Sequence, residues 1–248
     1  MIAIVLPAFN EEKSLPLVIK QIRIQSEKHL SEEIRIIVVD DGSTDNTADC
    51  VKNLSGNDLV LVQHQSNRGL GEAIKTGMLE ALHLSPDVSV IVTMDSDNTH
   101  PPGLLMRMIL AIDEGNDVVI ASRYRPGAQV IGLTRDRELL SLGMSWLFRL
   151  FLPIHGVRDY SCGYRAYRSD IIQNGFKKWG DQFINQSGFS CMLDILLKLN
   201  QIHAIFYELP LILRYDQKQG KSKMKVSETI KNTLRILIHE RFRLFYSR

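Results

Sequence analysis

A cysteine framework, an apolar run of membrane-spanning length and a large net charge are all missing from this chain. Its 248 residues include three cysteines, Cys50, Cys162 and Cys191. They are odd in number, far apart and without a Cys-x-x-Cys spacing, which argues against a disulfide scaffold or a zinc site and fits a reducing compartment. The nearest approach to a membrane span, Leu139 to Ile154, is broken by Arg149 and Pro153 and is shorter than the roughly 20 apolar residues needed. Formal net charge is only +2, too little for broad electrostatic capture, so no nucleic-acid partner is expected. No internal repeat or low-complexity linker interrupts the chain. The opening MIAIVLPAFNEE has too short an apolar part, and no basic lead, for a signal peptide, and it reads as a first strand.

What is present is an ordinary globular balance, 44% hydrophobic and 23% charged, which excludes disorder as the default. Strand and helix patterns alternate through the first half. Apolar runs at Ala3–Leu6, Ile34–Val39, Leu59–Gln63, Val88–Met94 and Asp117–Ala121 predict strands. Helical spacing covers Ser14–Lys28, Glu72–Leu84 and Pro102–Glu114. Ser43 or Thr44 is placed to cap a helix after the second strand. Such alternation predicts a doubly wound, mostly parallel α/β sheet with ligands at the carboxyl ends of its strands. In the second half, Arg125–Thr134 reads as a loop and Arg137–Leu152 as an amphipathic helix. A helix at Ser190–Leu199, a strand at Ala204–Leu209 and a basic stretch at Arg214–Lys225 follow. The simplest division is a domain over 1–225 and an amphipathic basic helix over 226–248.

The sharpest chemical signal is Met94-Asp95-Ser96-Asp97 at the end of an apolar strand. Two carboxylates one residue apart can share a hard divalent cation, Mg²⁺ or Mn²⁺, and bridge it to substrate phosphates. Alone, such a pair is as readily a solvated acidic turn. Here it has company at the same predicted sheet edge. Pro7, Asn10 and Glu11 follow the first strand, Asp40 and Asp41 the second, and Asn67-Arg68-Gly69 the third. Acids in these loops can accept hydrogen bonds from ribose hydroxyls and base N–H groups.

The ordered motifs LPAFNEE, VVDDGSTDNT, NRGLGEAIKTG, MDSDNTHPP, ASRY, DYSCGYRAYR and ELPLILRYDQKQGKSK resemble glycosyltransferase family two with the GT-A fold. Within it they resemble the dolichol-phosphate mannose synthases and related polyprenyl-phosphate glycosyltransferases, from about Ile4 to Lys223. The resemblance implies nucleotide-sugar contacts from Pro7, Asn10, Glu11, Asp40, Asp41, Arg68, Asp95, Arg214 and Lys223. It implies metal ligation by Asp95 and Asp97, with Thr99 where similar enzymes place Gln or Ser, and inversion at the anomeric carbon. Arg123 with Arg137, or Arg135 in its place, is implied to hold an acceptor phosphate, and Asp97, Arg123 and Arg137 are the expected catalytic set. GDP-mannose is the leading donor, and a UDP-sugar is the alternative.

An alcohol acceptor needs a general base, whereas a phosphate monoester is already largely dianionic near neutrality and needs cations instead. The second half supplies cations: Arg123, Arg135, Arg137, Arg165, Arg214, Lys221 and Lys223. Transfer to a hydroxyl would call on Asp159 or Asp194 as base, and a non-catalytic nucleotide-binding subunit is a third reading. Cys162, where relatives usually carry Ser, reads as a buried structural thiol. Ser187-Gly188-Phe189 and Asp194 also depart from the family's Gly, aromatic and Glu pattern. The apolar helix around Trp146 suits either a membrane interface bringing a polyprenyl chain to the site or a core helix. The basic 230–248 segment suits anionic lipid or a membrane-anchoring subunit. A peripheral place on the cytosolic face of a membrane is therefore expected.

Overall fold

A computed structural model describes residues 1–218 apart from Ser31, Ser55, Ser187 and Phe189. The expected helix over 226–248, the cations Lys221 and Lys223, and the Ser187 and Phe189 positions lie outside the described residues.

In chain order the elements are β1 (Ile2–Ala8), α1 (Leu15–His29), β2 (Ile34–Asp40), α2 (Thr47–Lys52), β3 (Leu59–Gln63), α3 (Leu70–Leu84) and β4 (Val90–Thr93). A 3₁₀ turn at Pro102–Leu104 then leads into α4 (Leu105–Asp113) and β5 (Val118–Ser122). The second half adds β6 (Gln129–Ile131), α5 (Arg135–Phe151), β7 (Arg165–Arg168), α6 (Ser169–Trp179), α7 (Ser190–Asn200), β8 (Phe206–Pro210) and β9 (Ile212–Arg214).

Seven strands form one sheet in the order β3-β2-β1-β4-β7-β5-β8, and β6 pairs with β9 in a separate ribbon. The β-branched runs of β1, β2, β4 and β5 are buried almost throughout, as strands covered on both faces must be. Helix α3 supplies part of that cover. Its Gly77 lies so close to the sheet that an added Cβ would stand 2.2 Å from Val5 Cγ1 and 3.2 Å from Val39 Cγ2.

The sheet is mostly parallel, as the alternation predicts, with one reversal that the pattern did not reveal. Strand β7 runs antiparallel to both neighbours, pairing Thr93 with Arg165 and Ile120 with Arg165. Its amino end therefore lies at the edge where β1, β2, β3, β4, β5 and β8 end. Four residues, with an arginine at each end and a fully buried Arg165, leave no hydrophobic alternation to read. Strand β6 falls inside the expected loop over 125–134, and β9 lies between the expected strand at Ala204–Leu209 and the basic stretch, which it meets only at Arg214. Each is three residues long and is defined only by pairing with the other. Ser43 and Thr44 do not cap α2, which starts at Thr47 after Asn46. They bond instead to Asn10 in the loop after β1: Asn10 N–H donates to Ser43 Oγ at 2.9 Å and Thr44 N–H to Asn10 Oδ1 at 2.8 Å.

The rigid Val5 side chain cannot retreat within the packed sheet. Gly77→Ala should therefore lower unfolding free energy by about 1–3 kcal/mol through overpacking, read as a reduced urea midpoint at unchanged m-value.

Candidate active site

The loops after β1, β2, β3 and β4 meet at the shared edge and lock one another. Ser96 Oγ donates to the Pro7 carbonyl at 2.7 Å. Asp40 Oδ1 accepts from Ser43 N–H at 3.0 Å. Asp41 is buried and collects the loop after β3: Oδ1 accepts from Arg68 N–H at 2.9 Å, and Oδ2 from Gly69 N–H at 2.8 Å. His64 Nδ1 also meets Asp41 Oδ1 at 2.7 Å, and its Nε2 meets Thr76 Oγ1 at 3.0 Å. Asp41 thus shapes the β3–α3 turn from within. Glu11 is likewise inside, its backbone N–H on Thr47 Oγ1 at 2.8 Å and its carboxylate on the Ser14 hydroxyl. The Arg68 guanidinium is exposed and paired to Glu72 at 2.8 Å.

The carboxylate pair stands at the end of β4. Thr99 donates to Asp97 Oδ1 through both its N–H at 3.1 Å and its hydroxyl at 2.7 Å, which leaves Asp97 Oδ2 facing outward from that turn. Lys218 Nζ is hydrogen-bonded to Oδ2. Burial alone would raise the Asp97 carboxyl, but the Lys218 ammonium and the Thr99 hydroxyl outweigh it and hold it below the usual range. Asp95 goes the other way: burial raises it, the neighbouring Asp97 adds to the rise, and His100 only partly offsets it. His100 Nδ1 accepts the Asp95 backbone N–H at 3.1 Å, and its Nε2 lies 3.8 Å from Asp95 Oδ2. Gly163, at the entrance to β7, abuts the pair; a Cβ there would lie 3.2 Å from Asp95 Oδ1.

This arrangement suits a hard divalent cation. The available donors are carboxylate and hydroxyl oxygens, and a positively charged group, the Lys218 ammonium, already rests on one of them. Among the described residues no three His, Cys, Asp or Glu side chains form a closed cage.

Arg123 follows β5. Its Nε donates to Asp159 Oδ2 at 2.8 Å and its Nη2 to Asp159 Oδ1 at 2.7 Å, with a further Nη2 bond to Ser161 Oγ at 2.7 Å. Asp159 has no exposure to water. Burial would push its carboxyl up, but the Arg123 charge and hydrogen bonds bring it below the ordinary value. Tyr124, the next residue, lies under the guanidinium with 5.3 Å to the ring centroid. Its hydroxyl meets Ser141 Oγ at 2.6 Å on α5. Arg135 opens α5, and Arg137 is exposed two residues later.

Helix α5 settles one alternative. It is not a core helix: Leu139 is 67%, Trp146 68% and Leu150 70% exposed, while Phe148 and Leu152 anchor it inward. Arg214 departs from the expected cluster as well. Its guanidinium is exposed and forks onto Asp216 at 2.8 and 2.9 Å, and only its backbone N–H reaches the metal loop, at Thr99 O, 3.0 Å. The cation on the Asp97 carboxylate is Lys218. It was legible only as one more cation in a basic stretch. Cys162 is buried, and that burial raises its thiol to about 12, as a structural cysteine requires.

Comparison with known proteins identifies the class. The architecture matches glucosyl-3-phosphoglycerate synthase of Mycobacterium tuberculosis, crystallised with Mn²⁺, uridine diphosphate and phosphoglyceric acid, at a TM-score of 0.65 and 19% identity over 97% of this chain and 78% of that one. The fold is that of the GT-A glycosyltransferases. Residues 3–176 match the Glycosyl transferase family 2 model, and the chain belongs to that family. It is 31% identical to the polyprenol monophosphomannose synthase of Mycolicibacterium smegmatis over 90% of this chain and 81% of the relative. It is 30% identical to the undecaprenyl-phosphate mannosyltransferase of Micrococcus luteus over 93% of this chain and 91% of the relative.

Removing one half of the Arg123–Asp159 pair strands a buried charge, at about 3–5 kcal/mol. Asp159→Asn should cost stability of that order. Because the folded carboxyl lies below its ordinary 3.8, the pair's contribution is full above that value and is lost as pH falls through the folded one. Urea midpoints of wild type and variant should differ constantly from pH 5 to 8, and the difference should shrink only as pH falls below 3.8.

Proposed function

We propose that this glycosyltransferase moves a hexose, with mannose from GDP-mannose as the leading case, onto the phosphate of a polyprenyl or dolichyl phosphate at a membrane surface. One juxtaposition supports the reading above all others. Arg123 is coupled through Tyr124 and Ser141 to α5, a helix whose exposed side is apolar. A cationic group at the foot of an apolar helix suits a phosphate that carries a hydrocarbon tail. The relatives named for polyprenol and undecaprenyl-phosphate mannose transfer support the same substrate class.

The carboxylates that a hydroxyl acceptor would need are committed elsewhere. Asp159 is buried against Arg123, and Asp194 is paired with Lys198 at 2.8 Å. Neither is free to act as base, which favours an acceptor that arrives already ionised. Arg123 spends Nε and Nη2 on Asp159 and Ser161, and no described residue engages its Nη1 hydrogens. These remain for a phosphate oxygen, with Arg137 or Arg135 from the start of α5 as the second cation. Attack of that oxygen on the anomeric carbon, with departure of the nucleoside diphosphate from the opposite face, inverts the centre in one displacement.

Asp95 and Asp97 would hold Mg²⁺ or Mn²⁺, with Thr99 fixing the Asp97 carboxylate. The bound cation supplies neutralisation of the charge that develops on the diphosphate. Pro7, Asn10, Glu11, Asp40, Asp41 and Arg68 line or brace the nucleotide end of the same edge. No helix among the described residues is long and apolar enough to cross a membrane. Attachment through α5 at the cytosolic face of a membrane is the matching arrangement, with a membrane-anchoring subunit as a further contact.

Labelled sugar from GDP-mannose should enter an organic-extractable product with a short polyprenyl phosphate, and UDP-glucose should serve at least tenfold less well. Labelling should require Mg²⁺ or Mn²⁺ and drop at least a hundredfold in Asp97→Ala. Donor turnover without lipid labelling would sink the acceptor assignment. Burying a leucine is worth about 1.5–3 kcal/mol, so Leu150→Glu should weaken flotation with anionic vesicles at least tenfold. Unchanged flotation would remove α5 as the docking helix.

A further inference from the structure

Lys218 occupies a position that the catalytic reading above leaves unused. It belongs to the segment after β9, tethered beside the carboxylates by the Arg214 N–H bond to Thr99 O. Its ammonium rests on Asp97 Oδ2, and the Tyr215 ring centroid lies 5.7 Å from Nζ. Both partners are largely shielded, with side-chain exposures of 17% and 13%. Asp97 Oδ1 is already taken by Thr99, so Oδ2 is the oxygen for which an incoming cation and Lys218 would compete.

We propose that Lys218 is an exchangeable counterion of Asp97: it holds the carboxylate while the donor site is empty and passes to the diphosphate when metal and nucleotide bind. The inference rests on the divalent-cation reading of Asp95 and Asp97. Its physical basis is charge balance. Two adjacent, partly shielded carboxylates repel each other, and one ammonium relieves that repulsion. A divalent cation arriving alone must displace the ammonium and leave it without a partner. A diphosphate arriving with the cation gives the released ammonium new anionic oxygens within reach of a flexible side chain. Metal and nucleoside diphosphate therefore bind with positive coupling, and Lys218 is a source of that coupling. No covalent step is involved.

The test is binding and not turnover. Mn²⁺ affinity is measured on the full chain by electron paramagnetic resonance, alone and with saturating GDP, for wild type, Lys218→Met, Lys218→Arg and Asp97→Asn. Lys218→Met should bind Mn²⁺ alone about tenfold tighter, and GDP in the presence of Mn²⁺ about tenfold weaker at unchanged metal-free GDP affinity, so that the coupling shrinks about tenfold. Lys218→Arg, which keeps a cation, should stay within about threefold of wild type. If Asp97→Asn abolishes Mn²⁺ binding while Lys218→Met changes neither affinity, the counterion role is wrong and the metal site stands. If Asp97→Asn leaves Mn²⁺ binding unchanged, the metal reading itself fails, and this inference fails with it.

Discussion

A carboxylate sealed from water must be matched by charge or by hydrogen bonds, and Asp159 is matched by both. Its oxygens accept the Arg123 side chain and backbone, and also the Ser161 and Cys162 N–H groups. The backbone that carries it is fixed from behind. Glu208 on β8 accepts the Arg158 and Asp159 N–H groups at 2.6 and 2.7 Å. One buried ion pair thus joins the end of β5, the segment entering β7 and the edge strand β8. Without it, Arg123 would keep only the Ser161 hydroxyl and the Tyr124 ring among the described residues to direct it, and a guanidinium on a loop loses much entropy on being ordered.

The reversal of β7 makes that pairing possible. Because β7 runs against β4 and β5, residues 159–164 arrive at the same edge as the strand ends. There Gly163 abuts Asp95 and Asp159 meets Arg123. The two halves of the proposed chemistry are therefore neighbours across one short segment. The acidic side is balanced by Lys218 and the basic side by Asp159, so each keeps a folded, charge-compensated form. Helix α5 extends the basic side into an apolar surface, through Tyr124 to Ser141 and through Ser145 Oγ to the Arg158 carbonyl at 2.8 Å.

Much of this was legible in the residues. Continuous β-branched runs such as Ile34–Val39 announce a parallel sheet because a strand buried on both faces has no polar side. The Asp95–Asp97 pair and Arg123 were visible because they follow such runs directly. Strand β7 was hidden, since four residues that begin and end with arginine carry no periodicity. The role of Asp159 was hidden as well, because sequence offered it only as a free acid and the partner lies 36 residues away. Among the late cations the sequence singled out Arg214, Lys221 and Lys223. Asp216 takes the Arg214 guanidinium, while Lys218, four residues on, reaches Asp97. Whether α5 faced the core or the outside was undecidable from composition alone, because both surroundings accept leucine and tryptophan.

Under the proposed function the acceptor arrives ionised, so that cations replace a general base. The most direct measurement offers the enzyme a polyprenyl phosphate and the matching polyprenol, each with the same labelled nucleotide sugar and divalent cation, and follows label into the organic phase. The account predicts labelling of the phosphate alone, with the free alcohol at background. Efficient labelling of the alcohol would contradict it and would require a base among the carboxylates that the structure shows committed elsewhere.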